Sequence, residues 1–308
     1  MSDPDRRSQL RLFLALADTG SVTAAARALH VTQPTASMQL REVADAVGVP
    51  LYELVARRVR LTDAGHDLAR TARSMVGEWE AFSQRIDAVK GLTRGRLMVS
   101  VVSTAKYFMP RLLGSFCALH PAVDVQLQVL NRDGVVARLR DSLDDLYIMS
   151  MPPADIDLDD RIVMANPLVL IAPAGHRLAG APGLTLADLQ DERFVLRERG
   201  SGTRIAVDAH FRAQGFVPSV RLELGSNEAV KESVAGGLGL AVLSVHALGS
   251  SLAPQALQQQ GVAVLPVAGF PIPSQWHLVR RSARPLSPIA LAFSDHLLAH
   301  AHHQDTPP

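Results

Sequence analysis

Residues 21–47, SVTAAARALHVTQPTASMQLREVADAV, are the stretch on which the reading of this chain turns. Ser21 and Thr23 place hydroxyl oxygens just before an alanine-rich run, where such groups accept hydrogen bonds from the unpaired N–H groups that open a helix. The helix expected over residues 23–29 is short. Its Ala24, Ala25, Ala26 and Ala28 let a neighbouring helix come close, and Leu29 and Val31 seal the corner. Gln33-Pro34 starts a second helix, because proline is tolerated in a first turn where its missing N–H costs nothing. Along that helix Met38, Leu40, Val43, Ala44 and Val47 supply an inner face, which leaves Gln33, Thr35, Ser37 and Arg41 outward. Small polar side chains and an arginine suit a helix that enters a DNA major groove. An ordinary helical corner stays open on this pattern alone.

The following residues narrow the choice. Gly48-Val49-Pro50 stops the second helix, and residues 51–62, LYELVARRVRLT, have an extended character centred on Arg57, Arg58, Val59 and Arg60. A small hairpin with three arginines beside a helix-turn-helix reads as a wing whose charges neutralise phosphates. A solvated basic turn would account for the composition but not for its position.

Taken together, SVTAAARALHVTQPTASMQLRE and VPLYELVARRVRLTDAGHDL resemble the N-terminal domain of LysR-type transcriptional regulators. The resemblance implies a winged helix-turn-helix that binds double-stranded DNA at an interrupted palindrome, as a homodimer or a homotetramer built from dimers, and that contacts RNA polymerase. The DNA-facing candidates are then Ser21, Thr23, Thr32, Gln33, Pro34, Thr35, Ser37, Met38, Arg41, Arg57, Arg58 and Arg60. Two positions depart from the family pattern: Leu54 stands where an arginine is usual, and Ala24 where a larger basic or polar residue is frequent.

Composition fits a two-part regulator. The chain has 308 residues, 47% of them apolar and 20% charged, which is globular rather than disordered. No long uncharged apolar stretch supports a membrane span and the first ten residues lack a signal-peptide core, so a cytoplasmic location is expected. The single Cys117 excludes an internal disulfide and any cysteine-cluster zinc site, and within its apolar run it reads as a buried small residue. Formal net charge is only +1, so DNA affinity must come from locally placed arginines. The expected division is residues 1–62 for the DNA-binding domain, 63–90 for a linker helix, 91–96 for a glycine-containing hinge and 97–308 for a sensor domain.

In the linker helix Leu68, Ala72, Met75, Trp79, Phe82, Ile86 and Val89 recur at intervals of four and three, which draws one apolar stripe. Such a stripe needs a partner. Packing against the same chain is one solution; the family resemblance implies dimerisation through Leu68, Met75, Trp79, Phe82 and Ile86. Two recognition helices on a twofold axis would then read two half-sites.

From Leu97 onward strands alternate with helices, the order of a parallel, helix-covered sheet. A second series begins near Pro167, with a helix expected in TLADLQDE among others, and the strand SQWHLVRR and the helix over residues 287–301 come last. The fold class is therefore α/β, with two lobes, residues 97–166 with 270–303 and residues 167–269, as in the periplasmic-binding-protein-like effector domains of the LysR family.

Ligands in such sheets collect where strands end and helices begin. Three corners of this kind stand out: residues 103–107, STAKY; residues 199–204, RGSGTR; and residues 226–228, SNE, with Lys231 one turn further. Helix capping accounts for each alone. Of the three lysines in the chain, Lys106 and Lys231 lie in these corners, which points to a small anionic effector with Arg204 as a bidentate partner and Lys106 as a point charge. The effector-binding candidates are Ser103, Thr104, Lys106, Asn131, Arg132, Met149, Ser201, Gly202, Thr203, Arg204, Asn227, Glu228 and Lys231. The segments STAKYFMPRLL, VLNRDGVVARL, DDLYIMSMPP, RERGSGTR and LGSNEAVKESVAGGLGLAVLS resemble the branch of the family that activates carbon-fixation (Calvin cycle, RuBisCO) operons, which implies a sugar phosphate, phospho-acid or NADPH as effector rather than a resident cofactor.

Catalysis finds little support. The chain has no Gly-Lys dipeptide, no HExxH and no GxSxG elbow. Gly236-Gly237-Leu238-Gly239 follows a helix and enters a strand, the reverse of a dinucleotide loop, and reads as a helix stop. His296, His300, His302 and His303 lack a nearby carboxylate or cysteine and read as a solvated tail rather than a metal site. No metal and no catalytic residue is expected. A solute-binding protein with an N-terminal extension, a regulator of another pathway answering to a different organic acid, and an α/β enzyme are the alternatives.

Overall fold

A computed structural model describes residues 3–55, 58–89, 95–249 and 251–301. They fall into two compact units, the first from the N-terminal part of the chain and the second mostly from residue 93 onward.

The first unit contains α1 (Asp3–Thr19), α2 (Val22–Ala28), α3 (Gln33–Val47), the hairpin β1 (Tyr52–Val55) and β2 (Arg58–Leu61), and the long α4 (Asp63–Val89). The short α2 is capped by Ser21, whose hydroxyl accepts from the Ala24 N–H at 3.4 Å. Thr32 caps α3 by accepting from the Thr35 N–H at 3.3 Å, with Pro34 in the first turn. Gly48, at φ +79° in the left-handed region, ends α3 by donating its N–H to the Ala44 carbonyl. Helix α1, which sequence reasoning passed over, is the third wall of this unit. Its Leu12, Phe13 and Leu16 are buried with Ala25, Ala26, Ala36, Leu40, Val43, Leu51 and Ala69. Burial of each large side chain contributes roughly 1.5–3 kcal/mol.

Within the second unit, the first lobe is a five-stranded sheet ordered β4-β3-β5-β12-β6, formed by β3 (Gly95–Val102), β4 (Val123–Leu130), β5 (Leu146–Met149), β6 (Leu158–Ala165) and β12 (Gln275–Arg281). Strands β3, β4 and β5 are parallel, whereas β12 runs antiparallel to both β5 and β6. The sheet is thus mixed rather than parallel, because the chain returns from the other lobe to fill the slot between β5 and β6. Helices α5 (Met109–Leu119), α6 (Arg132–Arg140) and α10 (Pro288–Ala301) belong to this lobe, and Phe116 meets Phe293 edge to face at 5.1 Å. Beneath the sheet the fully buried Asp144 carboxylate accepts from Arg138 Nε at 2.8 Å and Nη2 at 2.7 Å and from the Ser100 hydroxyl at 2.7 Å.

The second lobe places β7 (Leu168–Pro173) between β10 (Ala241–Ser244) and β11 (Val262–Val264), both antiparallel to it, and pairs β8 (Arg193–Arg197) with β9 (Ser219–Leu224) in parallel. Its helices are α7 (Gly202–Ala213), α8 (Asn227–Ala235) and α9 (Pro254–Gln259). Phe194, Phe211 and Phe216 form a triangle of rings 5.0, 5.6 and 5.7 Å apart. The helix expected in TLADLQDE is a single 3₁₀ turn, Leu186–Leu189, closed by a Thr185–Asp188 capping box. Strands β6 and β11 and helix α9 are too short or too charged to show a clear period in sequence. Of the expected hinge, residues 91–94 lie outside the described residues, while Gly95 and Arg96 open β3, paired with Val123 and Asp124.

Candidate nucleic-acid interface and effector site

Helix α3 turns Ala36, Leu40 and Val43 inward and exposes Gln33, Pro34 and Arg41, with Thr35 and Ser37 half-exposed. Two expected inner-face residues are corrected. Met38 is 53% and Val47 47% exposed, because the helix meets α1 and α2 along a narrow stripe that neither position reaches. Thr23 is exposed at the start of α2. In the wing, Glu53 pairs with Arg60, Leu54 with Val59 and Val55 with Arg58. The Val59 N–H donates to the Gly20 carbonyl at 3.0 Å, which pins the wing beside the turn between α1 and α2. Arg58 and Arg60 are exposed, Leu54 is 74% exposed, and Arg57 lies outside the described residues.

On α4, Ala69 and Ala72 are buried and Leu68 is half-buried, while Met75, Trp79, Phe82 and Ile86 face outward. The Trp79 and Phe82 rings stand 5.7 Å apart, and the Arg7 guanidinium lies 5.1 Å from the Trp79 ring centre. A groove of about 710 Å³ runs between α1, α3 and α4, with Leu10, Val47, Leu68, Met75 and Trp79 in its wall. This groove explains the exposed Val47.

In the second unit the three sequence-derived corners meet where the lobes touch. The N-terminus of α7 approaches the end of β5 closely: a Cβ at Gly202 would stand 2.5 Å from the Ser150 hydroxyl oxygen and 3.8 Å from Arg132 Cδ. The Asp133 N–H donates to the Gly200 carbonyl across the same seam at 3.2 Å. Arg132 donates from Nε and Nη2 to the Met151 carbonyl at 2.9 and 2.7 Å, and Met151 sits at φ +52°. Asn131 accepts from the Gly134 N–H at 2.9 Å and so shapes the start of α6. Ser201 and Thr203 are buried beside this point, and the Ser201 hydroxyl makes no capping bond to α7. Unpaired N–H groups at a helix start, buried hydroxyls and a guanidinium are together suited to an anion.

The opposite side of the seam is held by charge. Lys106 donates to Glu228 Oε2 at 2.8 Å and the Tyr107 hydroxyl to Oε1 at 2.7 Å, while Ser226 adds a third donor. Partial burial pushes the Glu228 carboxyl upward, yet the hydrogen bonds from Lys106 and Tyr107 outweigh it and hold it at about 2. Burial, then the bond to Glu228, pushes the Tyr107 hydroxyl up. Arg197, missed in the sequence, is buried at the end of β8; it donates to Glu198, to Ser103 Oγ at 3.2 Å and to Asn227 Oδ1.

Several expected ligand contacts have other partners. Arg204 is engaged within its own lobe, by both Asp208 oxygens at 2.9 Å and by Glu223 and the Arg197 carbonyl at 2.8 Å. Lys231 donates to Gln260, the residue that follows α9, at 3.0 Å. Thr104 is buried and accepts from Trp276 Nε1 at 3.1 Å, and Met149 is fully buried within β5. His296 and His300 stack at 4.1 Å, and His296 bonds to Ser115 at 2.7 Å; His302 and His303 lie outside the described residues. Among the described residues no group of three or more histidine, cysteine or acidic side chains could hold a metal, and no helix is long and apolar enough to cross a membrane.

Two family profiles match: the bacterial regulatory helix-turn-helix protein, lysR family, over residues 8–66, and the LysR substrate binding domain over residues 90–302. The HTH-type transcriptional activator CmpR of Synechocystis sp. is 39% identical over 95% of this chain and 94% of its own length. The RuBisCO operon transcriptional regulator of Acidithiobacillus ferrooxidans is 41% identical over 94% and 93%. Among solved structures, the regulatory domain of Synechocystis CcmR in complex with 2-PG is 43% identical, with a TM-score of 0.64, over 68% of this chain and 98% of that one. Winged recognition helix, two-lobed sensor and end-to-end similarity agree: the chain belongs to the LysR family of bacterial helix-turn-helix regulators.

Proposed function

We propose that this chain regulates carbon-fixation genes by binding operator DNA through α3 and the wing, under the control of a small phosphorylated acid held where the two lobes meet. The observation that carries the reading is the approach of the α7 N-terminus to Ser150 and to the side-chain carbons of Arg132, which brings a helix start suited to an anion beside an arginine of the other lobe, whose guanidinium is held on the Met151 carbonyl. The phosphate would lie against the Gly202 and Thr203 N–H groups with Ser201 and Arg132, and Ser103, Asn131 and Asn227 would shape the remainder of the site. Support comes from CcmR, whose regulatory domain takes 2-PG, and from relatives named for the RuBisCO operon. The relatives are named as transcriptional regulators, and we assign no catalytic step and no resident cofactor to this chain. Dimers would form over Met75, Trp79, Phe82 and Ile86 and pair into tetramers at an interrupted palindrome, with RNA polymerase as a further partner. A change in lobe closure would pass through the residues joining the units to α4.

The test uses the full chain. Gel retardation of the DNA upstream of its own gene should be sequence-specific and altered by the effector. In thermal-shift screening of 2-PG, sugar phosphates and NADPH, a compound at about 100 times its Kd stabilises by about 2.7 kcal/mol. Failure to bind DNA under any condition would sink the regulator reading. Stabilisation by unrelated aromatic acids alone would sink the carbon-fixation reading and leave the regulator intact.

A further inference from the structure

We infer that Met38 reads the C5-methyl group of a thymine in the operator, which makes it a specificity-determining residue of the recognition helix. The inference rests on the reading that α3 enters the major groove and adds a chemical role for one side chain. Two apolar residues of α3 that the helical period assigned to the core are instead exposed, and their surroundings differ. Val47, near the C-terminal end, lines the groove shared with α1 and α4, so an apolar side chain there has an apolar setting. Met38 belongs neither to that groove wall nor to the buried core of the unit. It lies on the outer stripe with Pro34 and Thr35 one turn before it and Arg41 one turn after, all on the side opposite the buried Leu40.

An apolar side chain in the middle of a polar DNA-facing stripe has one apolar counterpart on the major-groove edge of the bases. Adenine, guanine and cytosine present hydrogen-bonding groups there, and thymine alone adds a methyl. A thioether is unbranched and polarisable, and it settles against a methyl without a fixed hydrogen-bond geometry. Arg41 on the same stripe is equipped for phosphates or a guanine edge, so Met38 and Arg41 would ask different questions of neighbouring base pairs.

The experiment selects duplexes from a random-sequence pool with the full-length chain. It then measures the Kd of a selected duplex in which each thymine is replaced in turn by deoxyuridine, which removes only the methyl. We expect one thymine in a half-site whose replacement weakens wild-type binding about fourfold, the value of one buried methyl group. Met38→Ala should lose a similar factor on the thymine duplex and become insensitive to that replacement, whereas Met38→Leu keeps the sensitivity. Because Met38 is exposed, the melting temperature of Met38→Ala should match wild type, which keeps folding out of the comparison. Equal sensitivity of wild type and Met38→Ala to every deoxyuridine, or no sensitivity in wild type, overturns the inference while the recognition helix stands. Enrichment of no duplex overturns the recognition helix and this inference together.

Discussion

The DNA-binding unit and the sensor unit treat their polar side chains in opposite ways. On α3 the chemically useful groups come from one continuous helix, Gln33 and Arg41 exposed and Thr35 and Ser37 half-exposed. At the seam of the sensor the conspicuous charges are already paired: Lys106 with Glu228, Arg204 with Asp208 and Glu223, and Arg197 with Glu198. One unit presents its groups to a partner, and the other pairs most of them internally, Lys106–Glu228 across the seam and the Arg197 and Arg204 pairs within the second lobe. Residue type identifies a binding face where a single helix carries it, and misleads where partners arrive from distant parts of the chain.

The sharpest way to break this contrast is to remove an internal partner. Asp144→Ala leaves the Arg138 guanidinium without its buried carboxylate and should cost about 3–5 kcal/mol in chemical denaturation of the full chain. A loss near zero would mean that the contact of the part-exposed Arg138 with the buried Asp144 is not structural. On the outward-facing side, Arg41→Ala should weaken specific operator binding by about 1–3 kcal/mol if the guanidinium grips a base edge, with no change in melting temperature. Gel retardation against specific and unrelated duplexes reads the first, and a thermal melt reads the second.

A smaller effect comes from His210, packed against Phe270 and Gly269 in the second lobe, with its Nε2 buried and unpaired. Burial lowers its pKa below the usual 6.5, so the folded state favours the neutral ring while the unfolded chain takes up a proton. The stability is complete above about pH 6.5 and is lost as pH falls below it toward the depressed folded value. Denaturation midpoints measured across pH 7.5 to about 5.5 should fall for the wild type, and His210→Phe should flatten that trend. The smallest effect belongs to Lys106→Met and Glu228→Gln. Their pair is a third to a half exposed, so each should cost no more than about 1 kcal/mol, and the reversed pair Lys106→Glu with Glu228→Lys should recover part of it. A much larger loss would place this contact among the structural pairs with Asp144.

What was readable along the chain follows the range of the interactions involved. The helix-turn-helix, its Ser21 and Thr32 caps, the Gly48 stop and the wing are each settled within a few residues. The alternation of strands and helices in the sensor was readable for the same reason. Helix α1 carries its helical period only in Leu12, Phe13 and Leu16, after a charged first turn. Arg197 hid in the charged run RERGSGTR. Its one signal is position: RFVLR is a buried strand, and an arginine at its end needs a carboxylate and acceptors, which Glu198, Ser103 and Asn227 supply.

The sequence by itself determined the helices, caps and hairpin of the first unit and the alternation of strands and helices in the second, since periodicity, caps and turn residues act between near neighbours, and the resemblance of those segments to LysR-type regulators implied the class. Only the tertiary structure decided which charges remain available to a ligand, that β12 enters the first sheet antiparallel, and that Met38 faces outward while Leu40 does not. Those outcomes depend on which groups are brought within a few ångströms by segments far apart in the chain, and short-range hydrogen bonds and ion pairs are decided by that proximity.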